Sequence, residues 1–140
     1  MIRKIDHTID ENAEEIWSIF QESYAVEAKM LKAIDFPPLK RTVPEFIGSD
    51  TTFYAFYEGE SICGIIEIDH IDNSIHIQSL VVYPKYFRKG IARKLISFVL
   101  SSYDSPIFTV ETGVDNIPAI ELYRSFDFKE KKQWDTDHGV

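Results

Sequence analysis

The stretch of sequence that decides the fold class is Leu80-Val81-Val82-Tyr83-Pro84-Lys85-Tyr86-Phe87-Arg88-Lys89-Gly90-Ile91-Ala92-Arg93. In it an apolar strand ends at a proline, a basic loop follows, and a helix begins at Gly90. A helix start offers backbone N–H groups and the positive end of the helix dipole, which together attract anions. The small residues Gly90 and Ala92 let a phosphate approach the backbone closely. Charge-assisted hydrogen bonds are expected from three basic residues, Arg88, Lys89 and Arg93. We predict a phosphate-binding turn; an ordinary strand-to-helix turn with a glycine has the same local pattern.

The charge distribution favours the same interpretation. The chain has a net charge of −8, which argues against a nucleic-acid partner. No acidic residue occurs between Asp72 and Asp104, whereas five basic residues do, Lys85, Arg88, Lys89, Arg93 and Lys94. A basic segment in an acidic chain indicates a local site for a polyanion, and a solvated basic helix face is the alternative. The six glycines match neither the G-x-G-x-x-G motif of dinucleotide folds nor the P-loop motif.

Length and composition predict one domain over residues 1–140. Hydrophobic residues make up 44% and aromatic residues 14% of the 140 positions, which is enough for a sizeable core. No apolar run reaches the roughly 18–20 residues of a membrane span, and the first residues lack the apolar stretch of a signal peptide. The single cysteine, Cys63, excludes an internal disulfide and is expected in the core. We therefore expect a cytoplasmic protein without a membrane partner.

The apolar periodicity predicts an α/β (α+β) fold. The predicted strands are Ile2–Ile5, Thr52–Tyr57, Ile62–Ile71, Ile75–Tyr83, Ile107–Glu111 and Phe128–Trp134. The first helical pattern starts at an Asn12–Glu15 capping box and ends before Pro37. Three further helices are predicted at Pro44–Ser49, Ile91–Tyr103 and Ile117–Phe126. Strands followed by a β-α-β-α-β order imply a mixed, mostly antiparallel sheet with helices on both faces.

Two segments resemble motifs of the GNAT superfamily of N-acetyltransferases. The stretch quoted above is similar to its acetyl-CoA segment, where a Val-x-Pro strand end runs into [Gln/Arg]-x-x-Gly-x-[Gly/Ala]. Asn116-Ile117-Pro118-Ala119-Ile120-Glu121-Leu122-Tyr123-Arg124-Ser125-Phe126-Asp127-Phe128 is similar to Asn-x-x-Ala-x-x-Leu-Tyr-x-x-x-Gly-Phe. The sequence departs from the family at Phe87, where Gln or Arg is usual, and at Asp127, where Gly is usual. The resemblance implies a GNAT-type central sheet of six to seven strands.

The resemblance also implies how acetyl-CoA binds, with no metal. Its pyrophosphate would lie on residues of the loop and helix start, Arg88, Lys89, Gly90, Ile91, Ala92 and Arg93. Its pantetheine arm would pair with the backbone of three strand residues, Leu80, Val81 and Val82. The N–H of Val82 would stabilise the oxyanion, and Asn116 would contact the cofactor arm. Tyr123 matches the general acid that protonates the leaving thiolate; a core tyrosine is the alternative.

The general base has three candidates in the sequence. A neutral amine must attack the thioester, so a base or a water path must remove a proton from an ammonium of pKa about 10.4. The resemblance places Glu111 at the position of the proton acceptor in some ribosomal-protein N-terminal acetyltransferases. His76 lies near the catalytic glutamate position of histone-type relatives, and its ordinary pKa of about 6.5 suits a base. Glu67 on the neighbouring strand is the third candidate, and a proton wire without a single base is the alternative.

The predicted activity is transfer of an acetyl group from acetyl-CoA to a primary amine of a small molecule or a protein. There are two competing interpretations: an acyltransferase that uses a longer acyl-CoA as donor, and a non-catalytic module that binds acyl-CoA. The sequence does not name the amine, and both a monomer and a homodimer agree with it. Six aromatic residues are expected either in the core or in the acceptor pocket: Trp17, Tyr24, Phe36, Tyr54, Phe56 and Trp134.

Overall fold

Five strands and four helices follow one another in the computed structural model, which describes residues 1–31, 41–105, 107–110, 117–126 and 128. The strands are β1 (Ile2–Ile5), β2 (Thr52–Glu58), β3 (Ser61–Ile71), β4 (Ser74–Val82) and β5 (Ile107–Val110). The helices are α1 (Asp10–Leu31), α2 (Val43–Ile47), α3 (Ile91–Ser102) and α4 (Ile117–Arg124), and a short 3-10 turn spans Pro84–Tyr86. None of the helices in these ranges combines the length and apolarity that a bilayer crossing requires.

The sheet has the strand order β1-β2-β3-β4-β5. The pairs β1–β2, β2–β3 and β3–β4 are antiparallel, and β4–β5 is parallel because α3 carries the chain back between them. This confirms the mixed, mostly antiparallel sheet. The predicted count of six to seven strands is not confirmed, since five strands occur in the described ranges. The sixth predicted strand, Phe128–Trp134, lies outside them except for Phe128.

Each face of the sheet carries its own core. Side chains of β3 alternate between the two cores: Ile65 packs with α1 and α2, whereas Ile66 and Ile68 pack with α3. Because helices cover both faces, residues 62–68 of β3 are all buried and read as a nearly continuous apolar run. Cys63 is one of these buried residues, in agreement with its predicted place in the core.

The start of α1 differs from the sequence prediction. The helix begins at Asp10, so Asn12 is not its cap, and the Asn12 amide instead donates to the Asp6 carbonyl at 3.0 Å. A turn that starts at Asp6 precedes the helix, and Asp6 Oδ1 accepts from the Thr8 N–H at 3.0 Å. The pattern at Asn12–Glu15 was misleading because an asparagine side chain can donate to an upstream carbonyl as readily as it can accept from an N–H group as an N-cap.

Helix α3 lies close to the sheet because Gly64 of β3 has no side chain. A β-carbon at Gly64 would lie 2.9 Å from Ile91 Cγ2, 3.1 Å from the Val81 carbonyl oxygen and 3.3 Å from Leu95 Cδ1. The Val81 carbonyl is fixed in the backbone of β4, so the added carbon cannot shift toward that strand, and relief of the contacts with Ile91 and Leu95 requires the first turn of α3 to move away from the sheet. The position of the α3 N-terminus therefore depends on a glycine that the sequence motifs do not include.

We expect Gly64→Ala to lower the free energy of unfolding by about 1–3 kcal/mol, the usual cost of overpacking. Because Ile91 opens α3, the variant should also bind anions at this helix start more weakly. Urea denaturation measures the first effect. Gly48→Ala is the matched control, since its β-carbon meets only the Pro44 carbonyl oxygen at 3.5 Å at an ordinary φ of −85°. Equal stability of the two variants would contradict this account of the packing.

Candidate functional site

The N-terminus of α3 has the backbone geometry that the predicted anion site requires. Gly90 is its N-cap in the left-handed conformation, with φ 75° and ψ 15°, and Lys94 N–H donates to the Gly90 carbonyl at 3.1 Å. The three N–H groups before Lys94 belong to the first turn, which has no carbonyl partner within the helix. Gly90 also lacks a side chain with which to cap them. The backbone of Ile91, Ala92 and Arg93 is thus arranged to donate to an anion.

The loop that leads into α3 is exposed and basic. Arg88 adopts a φ of 64°, which is uncommon for a residue with a β-carbon, and both Arg88 and Lys89 are exposed beside the helix start. Phe87, the departure from the family pattern, is 40% exposed. Arg93 points to α4, where its Nη1 donates to Ser125 Oγ at 2.8 Å and its guanidinium stacks over the Phe126 ring. The side chain of Arg93 therefore holds α4 against α3 in this structure.

The parallel pairing of β4 with β5, as far as the structure describes it, ends halfway along β4. The last parallel pair is Ile77 with Val110, and a bulge on β4 follows, since Glu67 pairs with Ser79 and Ile68 with Ile77. The bulge leaves Gln78 as the extra residue and turns the strand direction. Beyond it, the edge of β4 from Ser79 to Val82 that points away from β3 pairs with none of the strands in the described residues.

The backbone N–H and C=O groups of Leu80 and Val82 lie on this edge. Tyr83 N–H donates to the Cys63 carbonyl at 2.8 Å, so this opposite pair exchanges hydrogen bonds. Hydrogen-bonded and non-hydrogen-bonded pairs alternate along an antiparallel ladder. Val82 and Leu80, opposite Gly64 and Ile66, therefore direct their N–H and C=O groups away from β3. Val81 pairs with Ile65, and its side chain is buried in the α1-side core.

Tyr123 lies on α4 with 9% of its surface exposed. Its ring packs edge-on against Phe128 with centroids 5.7 Å apart. Burial raises the pKa of the Tyr123 phenol far above its ordinary value, and the neighbouring Tyr24 and Glu27 of α1 raise that pKa further. The phenol therefore stays protonated at neutral pH, which is the state that a general acid requires.

His76 lies within the paired part of β4, one residue before the last pair with β5. Its Nδ1 is 2.7 Å from Thr109 Oγ1, and it pairs with Asp69 of β3 across the sheet. Because Ile75 and Ile77 belong to the α3-side core, the intervening His76 projects from the opposite face, toward the side of α1. Glu67 and Ser79 project from the same face, so the structure brings two base candidates, His76 and Glu67, to one side of the sheet.

Glu67 is fully buried and lies at the centre of a polar network that the sequence analysis missed. Its carboxylate receives Arg41 Nη1 at 2.7 Å and Arg41 Nη2 at 2.8 Å, Thr51 Oγ1 at 2.6 Å and Ser79 Oγ at 2.8 Å. Burial alone would raise the pKa of Glu67, but the hydrogen bonds from Arg41 and Thr51 hold it below its ordinary value. A carboxylate with these partners is a poor base, which argues against the third base candidate.

Arg41 reaches Glu67 from the residues just before α2. Its guanidinium lies over the ring of Phe46 at 4.1 Å and near the rings of Phe20 and Phe53 at 5.9 and 5.8 Å. Aromatic faces and a bidentate carboxylate together compensate the desolvation of the cation. The sequence signal was weak, because a lone arginine 26 residues from its partner has no recognisable spacing.

A family model of the acetyltransferase (GNAT) family matches residues 10–128. The chain belongs to this family. Among curated relatives, the UPF0157 protein YqkA of Bacillus subtilis is 29% identical over 141 aligned positions, which cover 100% of this chain and 41% of YqkA. An N-alpha-acetyltransferase of Saccharolobus solfataricus is 38% identical over 61 positions, 41% of this chain and 36% of that protein. The chain thus spans about two fifths of the length of the curated relatives that it matches.

A solved GNAT structure confirms the fold. The PaiA N-acetyltransferase of Thermoplasma acidophilum, crystallised with coenzyme A, superposes with a TM-score of 0.78 at 17% identity, covering 99% of this chain and 93% of that one. At this identity the likeness shows the fold. The GNAT family model also explains why the strand end, the basic loop and the α3 start follow one another in this order.

Three residues that the sequence analysis singled out lie outside the described residues: Glu111, Asn116 and Asp127. Glu111 therefore stays a predicted base, and Asn116 a predicted contact of the cofactor arm. In the ranges that the structure covers, no three His, Cys, Asp or Glu side chains come close enough together to hold a metal ion.

The Arg41–Glu67 pair predicts a pH-dependent stability. We expect Arg41→Met to lower the free energy of unfolding by about 3 kcal/mol at pH 7, since it leaves a buried carboxylate unpaired. In the wild type, the lowered pKa of Glu67 contributes stability above the ordinary value of 4.5 that is lost as the pH falls. The difference between the two proteins should therefore shrink below pH 4.5. Urea denaturation at pH 7 and pH 4 measures it.

The control for this prediction is the double variant Arg41→Met with Glu67→Leu, which removes both charges. We expect it to recover part of the lost stability, because apolar replacement of a buried pair is much cheaper than removal of one partner. A difference between wild type and Arg41→Met that stays constant from pH 7 to pH 4 would show that the Glu67 charge is not the cause.

Proposed function

We propose that the protein transfers the acetyl group of acetyl-CoA to a primary amine by direct attack of the amine on the thioester. The observation that carries the proposal is the continuity of the β4 edge with the start of α3. The N–H and C=O groups of Leu80 and Val82 that point away from β3 lie on the strand that leads through the basic loop to the helix start at Gly90. An extended amide-containing arm with a pyrophosphate at one end matches this arrangement.

The pyrophosphate would be bound by the N–H groups of Ile91, Ala92 and Arg93, with Arg88 and Lys89 adding positive charge. This assignment needs no side chain at position 87, which makes Phe87 compatible with binding. The PaiA structure contains coenzyme A, and this fold likeness supports the same donor here.

The chemistry would use the N–H of Val82 and the phenol of Tyr123. The N–H of Val82 points away from β3 and would donate to the carbonyl oxygen as negative charge develops there. Tyr123, held protonated by burial, would give its proton to the departing thiolate sulfur. The new C–N bond forms as the C–S bond breaks, and the ammonium proton leaves by way of Glu111, His76 or water.

The experiment is a thiol-release assay with acetyl-CoA and a panel of primary amines, including amino acids, polyamines and peptides with a free N-terminus. Amine-dependent release of CoA, with the acetylated amine identified by mass spectrometry, is the expected result. Faster release from a longer acyl-CoA would replace acetyl with that acyl group. Tight binding of acetyl-CoA without release in the presence of any amine would identify a binding module instead.

A further inference from the structure

The apolar residues at the end of β4 fit two different registers against β3. Leu80, Val81 and Val82 are all apolar, and both faces of the sheet are covered by a core. In the structure Val81 lies in the α1-side core, whereas its two neighbours contact the α3-side core. A slip by one residue would exchange these places. Burial of apolar surface therefore does not select the register of this segment.

The bulge on β4 is what distinguishes the two registers. Ile77 and Leu80 both face the α3-side core, although regular alternation would place residues three apart on opposite faces. In a ladder without the bulge, Gln78 would lie opposite Glu67, and Ser79 would turn toward the α3-side core. In the structure Gln78 is exposed and Ser79 lies opposite Glu67.

One hydrogen bond between side chains requires the bulged register. Ser79 Oγ donates to Glu67 Oε1 at 2.8 Å. The carboxylate cannot follow a slip of β4, because Arg41 binds both of its oxygens and Thr51 binds Oε2. After a slip, Gln78 could donate to Glu67, but the Ser79 hydroxyl would face an apolar core without a partner, which is unfavourable. The contact between Ser79 and Glu67 thus favours the register that the apolar pattern leaves open.

The register decides which backbone groups of β4 are taken up by β3. Tyr83 N–H donates to the Cys63 carbonyl at 2.8 Å. Because hydrogen-bonded pairs alternate with non-bonded pairs, Leu80 and Val82 direct their N–H and C=O groups away from β3. A slip by one residue would reverse this alternation. The N–H of Val82 would then be bonded to β3, and that of Val81 would point away.

We propose that Glu67 and Ser79 are positioning residues for acetyl transfer. The buried carboxylate holds the Ser79 hydroxyl, the hydroxyl fixes the bulge at Gln78, and the bulge directs the Val82 N–H away from β3. The effect on catalysis rests on the proposed function, whereas the register can be tested without activity. In this role Glu67 acts through the strand, which is consistent with a carboxylate whose hydrogen bonds make it a poor base.

The register is tested by amide hydrogen exchange of the free protein, followed by NMR. We expect Tyr83 N–H to exchange about tenfold faster in Ser79→Ala than in the wild type, measured relative to the amides of the β2–β3 ladder, because one hydrogen bond to a charged group no longer opposes the slip. Ser79→Thr keeps a hydroxyl at the same position. This variant should restore the slow exchange.

The catalytic consequence is measured with acetyl-CoA and the best amine of the panel. We expect Ser79→Ala to lower kcat/KM for acetyl-CoA about fivefold, since only molecules in the observed register present the β4 edge to the donor. Ser79→Thr should return kcat/KM to the wild-type value.

Thr51→Val is the matched control. Thr51 Oγ1 donates to the same carboxylate at 2.6 Å and contacts Ser49 Oγ at 2.6 Å, but it precedes β2. The hydrogen bonds from Arg41 and Ser79 to Glu67 remain in this variant. We therefore expect Thr51→Val to lower stability toward urea at least as much as Ser79→Ala, with wild-type kcat/KM and wild-type relative exchange of Tyr83 N–H.

Three results would overturn the inference while the proposed function stands. They are unchanged Tyr83 exchange or unchanged kcat/KM in Ser79→Ala, equal behaviour of Ser79→Ala and Ser79→Thr, and a loss of kcat/KM in Thr51→Val as large as in Ser79→Ala. Absence of amine-dependent CoA release by the wild type would instead overturn the proposed function and the catalytic part of this inference. The exchange of Tyr83 N–H would still decide whether Ser79 and Glu67 fix the register.

Discussion

Tyr123→Phe is expected to lower kcat for acetyl transfer by about 100-fold while the Kd for acetyl-CoA stays the same. Removal of a general acid costs about 10²–10⁴ in rate. The substitution removes only the hydroxyl and keeps the ring that packs on Phe128, so the fold and the donor site should persist. Single-turnover CoA release gives the rate, and calorimetric titration gives the affinity.

Tyr103→Phe is the control for this variant. Its hydroxyl is also hydrogen bonded, to the Tyr54 hydroxyl at 2.6 Å, but it lies just beyond the C-terminal end of α3, away from the anion site. The chemical change is identical, so a general loss of packing would slow both variants. If Tyr123→Phe turns over as fast as Tyr103→Phe, Tyr123 is a core residue and the thiolate takes its proton from water.

Gly90→Glu is expected to weaken acetyl-CoA binding at least about 100-fold, which corresponds to about 2.7 kcal/mol. Two effects add here. A β-carbon at a φ of 75° costs roughly 1–2 kcal/mol of strain. A carboxylate at the helix start also repels the phosphates and competes for the N–H groups of the first turn. Calorimetric titration of both proteins with acetyl-CoA measures the loss.

Gly90→Ala separates strain from charge. In the described part of the chain, no atom lies within 4 Å of a β-carbon at Gly90 beyond its immediate neighbours, so alanine adds strain without a clash. We expect it to bind acetyl-CoA more weakly than the wild type but far better than Gly90→Glu. Gly59→Glu places the same side chain at a similar φ of 64° in the β2–β3 turn. Wild-type affinity in Gly90→Glu would exclude the α3 start as the phosphate site.

Much of the fold could be predicted from periodicity and from two motifs. The alternation of β3 and β4 and the proline and glycine of the β4–α3 connection are local signals, and the helix of residues 91–102 follows them. The parallel pairing of β5 also follows from the intervening helix. The proposed acetyl-CoA site is local in the same way, since it consists of backbone groups that consecutive residues position.

The buried network around Glu67 depends on contacts between residues far apart in the chain, which sequence spacing does not encode. Arg41 meets Glu67 only because α2 folds back over the sheet, and Ser79 joins them because the bulge at Gln78 shifts the register by one residue. The strand position of Glu67 suggested a general base, whereas its hydrogen-bond partners make it a structural anion. The role of Gly64 is likewise invisible without the distance to Ile91.

The contrast between the outward backbone of β4 and the side chains around Glu67 has a consequence for how such proteins diverge. Substitutions at Leu80 or Val82 change side chains but leave the N–H and C=O groups in place, so recognition of the acyl donor tolerates sequence drift. Substitutions at Arg41, Thr51 or Ser79 instead remove a hydrogen bond from the buried carboxylate of Glu67. The backbone edge of β4 can therefore persist through large changes of sequence, whereas Glu67 and its partners have to change together.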